Sequence, residues 1–269
     1  MSTSITFIGA GNMAAALING LLADGFDAST ICAADPDAQQ LAALATAGVS
    51  TTSDNAEAIA HADIVVVAVK PQVLAGVVKA LPLQPSQLVV SIAAGVSSTS
   101  LQRWTSDSQP IVRCMPNTPA LLGAGITALF ANEHVSAELK GAAQAVLSAV
   151  GKTIWVDDES MLDAVTALSG SGPAYFFYLM EAMIKAGEAM GLSTESAALL
   201  TVETAHGAAR MAREGGLPPD RLRQNVTSPG GTTQKALSIL DEADCTGIIG
   251  KALAGARDRS EELAKEFGA

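Results

Sequence analysis

The chain has 269 residues, 49% apolar and 16% charged, with a formal net charge of −11 at pH 7. That length is long for one domain and comfortable for two with ample buried core, and the apolar content excludes a disordered chain. Sixteen basic residues stand against 27 acidic ones, and the first Lys or Arg is Lys70, which argues against a nucleic-acid partner or an anionic membrane surface.

The N-terminus lacks the basic start of a signal peptide, and the apolar stretch 5–23 is interrupted by Gly9, Gly11, Asn12, Asn19 and Gly20. Neither a secretion signal nor a membrane span is expected, so the reading is a cytoplasmic protein. Within that stretch the run 5–8 breaks into Gly9-x-Gly11-x-x-Ala14 and continues as a helical pattern. As a dinucleotide fingerprint, Gly9 permits the strand-to-helix turn, Gly11 lets a pyrophosphate approach the backbone, and Ala14 lets the helix pack closely. The new helix would aim free N–H groups at the phosphates. Taken alone, the same pattern also reads as an ordinary glycine turn.

Further apolar runs follow at 31–34, 64–69, 88–92, 111–115, 126–130 and 153–156, separated by alanine-rich helical windows. Continuous apolar strands alternating with helices indicate a mostly parallel, doubly wound sheet covered on both faces. Its ligand lies at the carboxyl ends of the strands, where Gly9 to Asn12, Asp35-Pro36, Lys70-Pro71, Ala93-Ala94-Gly95 and Pro116-Asn117 should gather. After Asp157-Asp158-Glu159 the strand signals stop, and helical windows at 160–168, 173–190, 193–214, 232–241 and 246–267 predict an all-helical second domain. The expected division is 1–157 and 158–269. The later windows are apolar on several faces, as in Tyr175-Phe-Phe-Tyr-Leu-Met180, which reads as a subunit interface ahead of a self-contained core.

Asp35 stands at the end of the second run, where a fingerprint acid holds ribose hydroxyls; it reads equally as an N-cap ahead of Pro36. No Lys or Arg lies near it to meet a 2′-phosphate, although helix-end amides remain an alternative source of donors. Lys70 follows an apolar strand at the ligand edge and reads as a cofactor contact. Ser228-Pro-Gly-Gly-Thr-Thr233 opens a helix and reads either as a nest for a carboxylate or as a plain turn with Thr232 as N-cap. Ser169-Gly-Ser-Gly-Pro-Ala-Tyr175 is a similar turn before a helix started by proline. Tyr175 and Tyr178 have no Lys four residues later, and none of His61, His134 and His206 sits in a glycine loop. A ketone needs a positioned acid for the developing alkoxide, whereas an imine is basic enough to take its proton from water, so the residues suit an imine. Cys32, Cys114 and Cys245 have no Cys or His at ligand spacing and are expected as buried thiols, with no metal site.

Taken together, Phe7-Ile-Gly-Ala-Gly-Asn-Met13, Ala68-Val-Lys-Pro71, Ser91-Ile-Ala-Ala-Gly-Val96, Met115-Pro-Asn-Thr-Pro-Ala120, Ser169-Gly-Ser-Gly-Pro-Ala-Tyr175 and Ser228-Pro-Gly-Gly-Thr-Thr233 resemble, in order, the motifs of the Δ1-pyrroline-5-carboxylate reductase family. The resemblance runs from residue 5 to residue 265 and implies a Rossmann-type α/β domain followed by an all-α dimerisation domain. It implies hydride transfer from NADPH or NADH to the cyclic imine L-1-pyrroline-5-carboxylate, giving L-proline in the last step of proline biosynthesis. By that carry-over Gly9, Ala10, Gly11, Asn12, Met13, Asp35, Pro36, Asn55, Ala68, Val69, Lys70, Pro71 and Ala94 contact cofactor. Asn225, Val226, Ser228, Gly230, Gly231, Thr232 and Thr233 hold substrate, with the amides around Gly230 and Gly231 on its carboxylate. The Thr233 hydroxyl lies near the ring nitrogen as the catalytic group. The family pairs subunits through the helical domain, so that the substrate loop faces the partner's cofactor domain, and builds rings such as a decamer. Two positions depart from the family pattern: Leu217-Pro-Pro219 replaces a His-Pro-Gly turn, and Asp35 is more acidic than usual, leaving NADPH versus NADH open. A β-hydroxyacid dehydrogenase lacks support because the helix from Pro173 carries no Lys before Lys185. A dinucleotide sensor without turnover has no use for a carboxylate nest.

Overall fold

The structure, a computed structural model, describes residues 3–267. Strands β1 (Ile5–Ile8), β2 (Ile31–Ala34), β3 (Ser50–Thr52), β4 (Ile64–Val67), β5 (Leu88–Ser91), β6 (Ile111–Met115), β7 (Gly125–Ala131) and β8 (Gly151–Trp155) form one sheet in the order β3-β2-β1-β4-β5-β6-β7-β8. Between them run α1 (Asn12–Ala23), α2 (Ala38–Thr46), α3 (Asn55–Ile59), α4 (Pro71–Ala80), α5 (Ser98–Trp104) and α6 (Ala137–Ser148). This is the doubly wound, Rossmann-type arrangement, with the chain reversing its direction of growth between β1 and β4.

Strand residues alternate between two apolar layers. Ile5 and Phe7 join the layer under α1 and α6, while Ile8, Val65 and Val67 join the one under α4 and α5. Because both faces are covered, β1, β4 and β5 are buried at every residue, which is why they read as unbroken apolar runs. Strand β3 escaped the sequence reading because Ser50-Thr-Thr52 is short and hydroxylic. All strand pairs are parallel except β6 with β7. Only residues 116–124 connect those two, too few for the helical crossover that a parallel pair requires.

Two compact units emerge. The first takes in residues up to Ser171 together with those from Gly255 on, and the second is Gly172–Ala254. The first unit extends beyond residue 157 because the segment 158–171 is tied to the sheet. Glu159 takes Arg113 Nη1 at 2.6 Å, and its carboxylate also accepts the Ser98 amide and hydroxyl, each at 2.6 Å. Helix α7 (Met161–Val165) buries Leu162 against Met115 and Ala128. The Ser260 hydroxyl, buried on α12 (Cys245–Phe267), donates to Asp163 Oδ1 at 2.6 Å.

The second unit holds α8 (Gly172–Ala189), α9 (Thr194–Glu214), α10 (Pro219–Asn225), α11 (Thr232–Glu242) and the start of α12. Helix α10 was not expected, since Pro218-Pro219 and a polar run mask it in the sequence. Helices α8 and α9 meet where Gly187 leaves room for Ala197: a Cβ on Gly187 would lie 3.1 Å from the Ala197 Cβ. Very little of this unit is buried, and Phe176 and Tyr178 are 66% and 76% exposed. Among the described residues no helix is long and apolar enough to cross a membrane, and no group of three or more His, Cys, Asp or Glu is placed to hold a metal ion.

Arg113 and Glu159 keep side-chain exposures of only 10% and 22%, so removing the acid strands a buried cation. Glu159→Ala is expected to lower unfolding free energy by about 2–4 kcal/mol, read from urea denaturation. Burial pushes the Cys114 thiol up to about 12 from an ordinary 9.0. Its folded value is the higher one, so the stability that it contributes is complete below the ordinary value and is lost as pH climbs from there towards about 12. At a pH of about 8, iodoacetamide should leave Cys114 unmodified in the native protein and alkylate it in urea.

Candidate active site

At the reversal point the chain passes unusually close to itself. Gly9 has φ +96°, and a Cβ built there would lie 2.9 Å from the Ala68 carbonyl oxygen and 3.0 Å from Val69 Cγ1. Its amide donates to the Ala34 carbonyl at 2.8 Å, and the Ala68 amide donates to the Ile8 carbonyl at 2.8 Å. Gly11 differs: its φ is −66°, it is the N-cap of α1 without a side-chain cap, and a Cβ there meets nothing within 4 Å. Open space therefore lies over the start of α1, where Asn12 and Met13 present uncapped helix amides and the positive end of the helix dipole. Ala14, 1% exposed, seats the helix on the sheet.

The Asp35 carboxylate closes this turn from β2. Its Oδ2 accepts the Ala10 amide at 2.7 Å and its Oδ1 the Asp37 amide at 2.9 Å. The N-cap of α2 is Asp37, whose side chain accepts from the Gln39 amide. This corrects the reading of Asp35-Pro36 as a cap: Pro36 lies outside the helix. Asn55 opens α3 behind its cap Asp54, Lys70 is the exposed N-cap residue of α4 with Pro71 at N1, and Ala94 is half-buried in the loop after β5. Together with Ala68 and Val69, these thirteen expected cofactor positions all stand at or just beyond the carboxyl ends of β1 to β5. A separate cleft of about 470 Å³ lies elsewhere, lined by residues such as Ser4, Thr30, Cys32 and His61. It contains none of the thirteen and faces the opening halves of β1 and β2, away from the glycine loops that carry the site.

The second loop lies between α10 and α11. Asn225 ends α10, Val226 and Ser228 are exposed, and Gly230 has φ +70°. The Gly230 amide donates to Gln234 Oε1 at 2.6 Å and the Gly231 amide to the Ser228 carbonyl at 3.1 Å. Those two amides are thus used internally. Gly231, not Thr232, is the N-cap of α11 and supplies no side-chain cap, so the open amides are those of the first helical residues, Thr232 and Thr233. Thr232 is exposed and Thr233 half-buried. A Cβ on Gly231 would come within 2.6 Å of Ser228 Oγ, so the turn is shaped for glycine.

The third loop is a π-helical turn, Thr166–Gly170, immediately before α8. Asn117, 9% exposed, donates through Nδ2 to the Ser169 carbonyl at 3.2 Å and accepts the Ile126 amide on Oδ1 at 3.0 Å. The Met115-Pro-Asn-Thr-Pro-Ala120 motif therefore braces the Ser169 turn. This role of Asn117 was not read from the sequence, where only its place between two prolines marked it.

Comparison with known proteins agrees with this arrangement. Residues 159–263 match the family described as pyrroline-5-carboxylate reductase dimerisation, and residues 4–95 match that of NADP oxidoreductase, coenzyme F420-dependent. A pyrroline-5-carboxylate reductase of Pseudomonas aeruginosa is 52% identical over 100% of both chains. The solved reductase of Coxiella burnetii is 43% identical, with a TM-score of 0.93 over 98% of this chain and 99% of that one. The Plasmodium falciparum enzyme, solved with NADP bound, is 28% identical, with a TM-score of 0.86 over 97% and 98%. With its glycine turns, sheet order and full-length identity all in agreement, the chain belongs to the pyrroline-5-carboxylate reductase family.

Proposed function

We propose that this chain reduces L-1-pyrroline-5-carboxylate to L-proline with NAD(P)H, the final step of proline biosynthesis, as a cytoplasmic enzyme. The observation that carries this reading is the presence, in a member of this family, of two uncapped glycine helix starts suited to anions: Gly11 before α1 and Gly231 before α11. The absence of any atom within 4 Å of a Cβ built on Gly11 supports a close approach of the pyrophosphate there. Residues 1–157 act as the dinucleotide domain, with Gly9 to Met13 under the pyrophosphate, Asp35, Pro36 and Asn55 at the adenosine end, and Ala68 to Pro71 with Ala94 along the rest. The bound dinucleotide supplies a hydride from C4 of its nicotinamide.

Residues 158–269 act as the substrate and dimerisation domain. The amides of Thr232 and Thr233 hold the carboxylate, while Asn225, Val226, Ser228, Gly230 and Gly231 shape the loop around the ring. The Thr233 hydroxyl orients the imine nitrogen and relays the proton that balances the hydride. Orientation contributes more than acid strength, since an iminium accepts hydride without a strong acid. The exposed aromatic face of α8 pairs two copies through the C-terminal helices, and such dimers close into a ring such as a decamer. Light scattering on the purified protein gives the mass; a monomer at micromolar concentration would sink the pairing.

The first test follows the loss of NADH and NADPH absorbance with pyrroline-5-carboxylate, using a 2-keto acid as control. Oxidation with the imine alone is expected; activity with the keto acid alone would refute the assignment. Thr233→Ala should lower kcat by about 10- to 100-fold while shifting the NADPH dissociation constant by less than about 2-fold. Gly11→Ala should change unfolding free energy by less than about 1 kcal/mol, because the added methyl meets open space. It should weaken dinucleotide binding by about 10-fold or more, as measured by fluorescence titration.

A further inference from the structure

Resting on the assignment of the loop between α10 and α11 to the substrate, we infer that Gln234 is a positioning residue for the reduction. Its side chain holds the glycine turn from which Thr232 and Thr233 present their amides. Gly231 has no side chain with which to cap α11, and the residue three positions on reaches back instead: the Gly230 amide donates to Gln234 Oε1 at 2.6 Å. A glutamine at this place in a helix ordinarily takes the amide of the cap residue itself. Here the Gly231 amide is already given to the Ser228 carbonyl at 3.1 Å, and the side chain reaches one residue further.

The consequence lies in the backbone of Gly230. Its φ is +70°, and glycine is the residue with the most freedom to leave such a conformation. The two peptide planes that flank it are each held by one hydrogen bond: the plane before it by Gln234, through the Gly230 amide, and the plane after it by the Ser228 carbonyl, through the Gly231 amide. Only the first of these bonds comes from α11, so it alone ties the turn to the helix start that carries Thr233. At the other end of the loop the Thr227 hydroxyl donates to the Arg223 carbonyl at 2.6 Å, fixing the chain to α10. A loop fastened at both ends keeps the Thr232 and Thr233 amides and the Thr233 hydroxyl in one arrangement before substrate arrives, which is how orientation contributes to rate. The carboxamide is also uncharged. A glutamate would supply the same acceptor together with a negative charge beside the loop that takes the substrate's carboxylate.

The test compares two variants of the full-length protein. Gln234→Met keeps the length of the side chain and loses the acceptor; Gln234→Glu keeps an acceptor and adds a charge. Gln234 is exposed, so neither change opens a core. With pyrroline-5-carboxylate and saturating dinucleotide, Gln234→Met should lower kcat by at least about 3-fold, whereas Gln234→Glu should stay within about 3-fold of the parent. Gln234→Glu should instead raise KM for the imine by about 5-fold, through repulsion of its carboxylate. A Gln234→Met variant that keeps its kcat overturns the inference, and so does a Gln234→Glu variant that loses kcat with it. An unchanged KM in Gln234→Glu also overturns it, by moving the substrate carboxylate away from this loop. Hydrogen exchange across segment 225–233, followed by mass spectrometry without substrate, is scored apart from turnover. The Gly230 amide should exchange about 5-fold faster in Gln234→Met than in the parent; equal exchange overturns the inference. Failure of the parent protein to reduce the imine with either nucleotide would refute the proposed reaction, while the exchange rates still decide whether Gln234 holds the turn.

Discussion

The ligand edge of the sheet depends on how closely the backbone passes at Gly9. Its amide is bound to β2 through the Ala34 carbonyl, while its α-carbon faces the Ala68 carbonyl at the end of β4. Any side chain would separate those two strand ends, and the positive φ is one that residues with a Cβ rarely adopt. The next amide, that of Ala10, is held by Asp35. Three strand ends are therefore locked by main-chain contacts over a few residues, and α1 leaves from that lock with its first amides uncapped.

Capping divides the helix starts into two kinds. Ser97, Ser136 and Ser193 cap α5, α6 and α9, and Asp37 and Asp54 cap α2 and α3. Those amides are satisfied within the chain and add stability of about 1 kcal/mol each. Helices α1, α4 and α11 instead begin at Gly11, Lys70 and Gly231 with no side-chain cap, as do α7 at Ser160 and α10 at Pro218. The first three lie in the loops proposed for cofactor and substrate. Stability forgone at those starts leaves donors available for ligand anions, which suits a site made of amides and hydroxyls rather than of strong acids.

The two units are stabilised differently. The sheet unit buries two continuous apolar layers, whereas the helical unit buries Gly187, Ala197 and Thr201 and little else, leaving large aromatic and aliphatic side chains exposed. Hydrophobic burial of about 25 cal/mol per Å² is available to such helices only when another surface covers them. The match of residues 159–263 to a dimerisation family is consistent with that requirement. Within the sheet unit, Glu159 neutralises Arg113 and ties the start of α5 to the segment after β8.

Much of this was legible in the sequence because the relevant forces act over a few residues. Unbroken apolar runs marked β1, β2, β4 and β5, glycine spacing marked the fingerprint turn, and the loss of strand signals after Glu159 marked the helical region. The features that could not be read depend on residues distant in the chain. That Asp35 serves the Ala10 amide, leaving Asp37 to cap α2, depends on β1 and β2 lying side by side. That Asn117 braces Ser169 and Glu159 answers Arg113 depends on segments 52 and 46 residues apart meeting at one edge. The reversal of β7 came from connection length, and the internal use of the Gly230 and Gly231 amides from the turn's own dihedral angles. Local sequence determined the elements and the kinds of residue at their ends; strand order decided which donor each carboxylate meets, because a hydrogen bond needs a partner within about 3 Å and only tertiary packing brings it there.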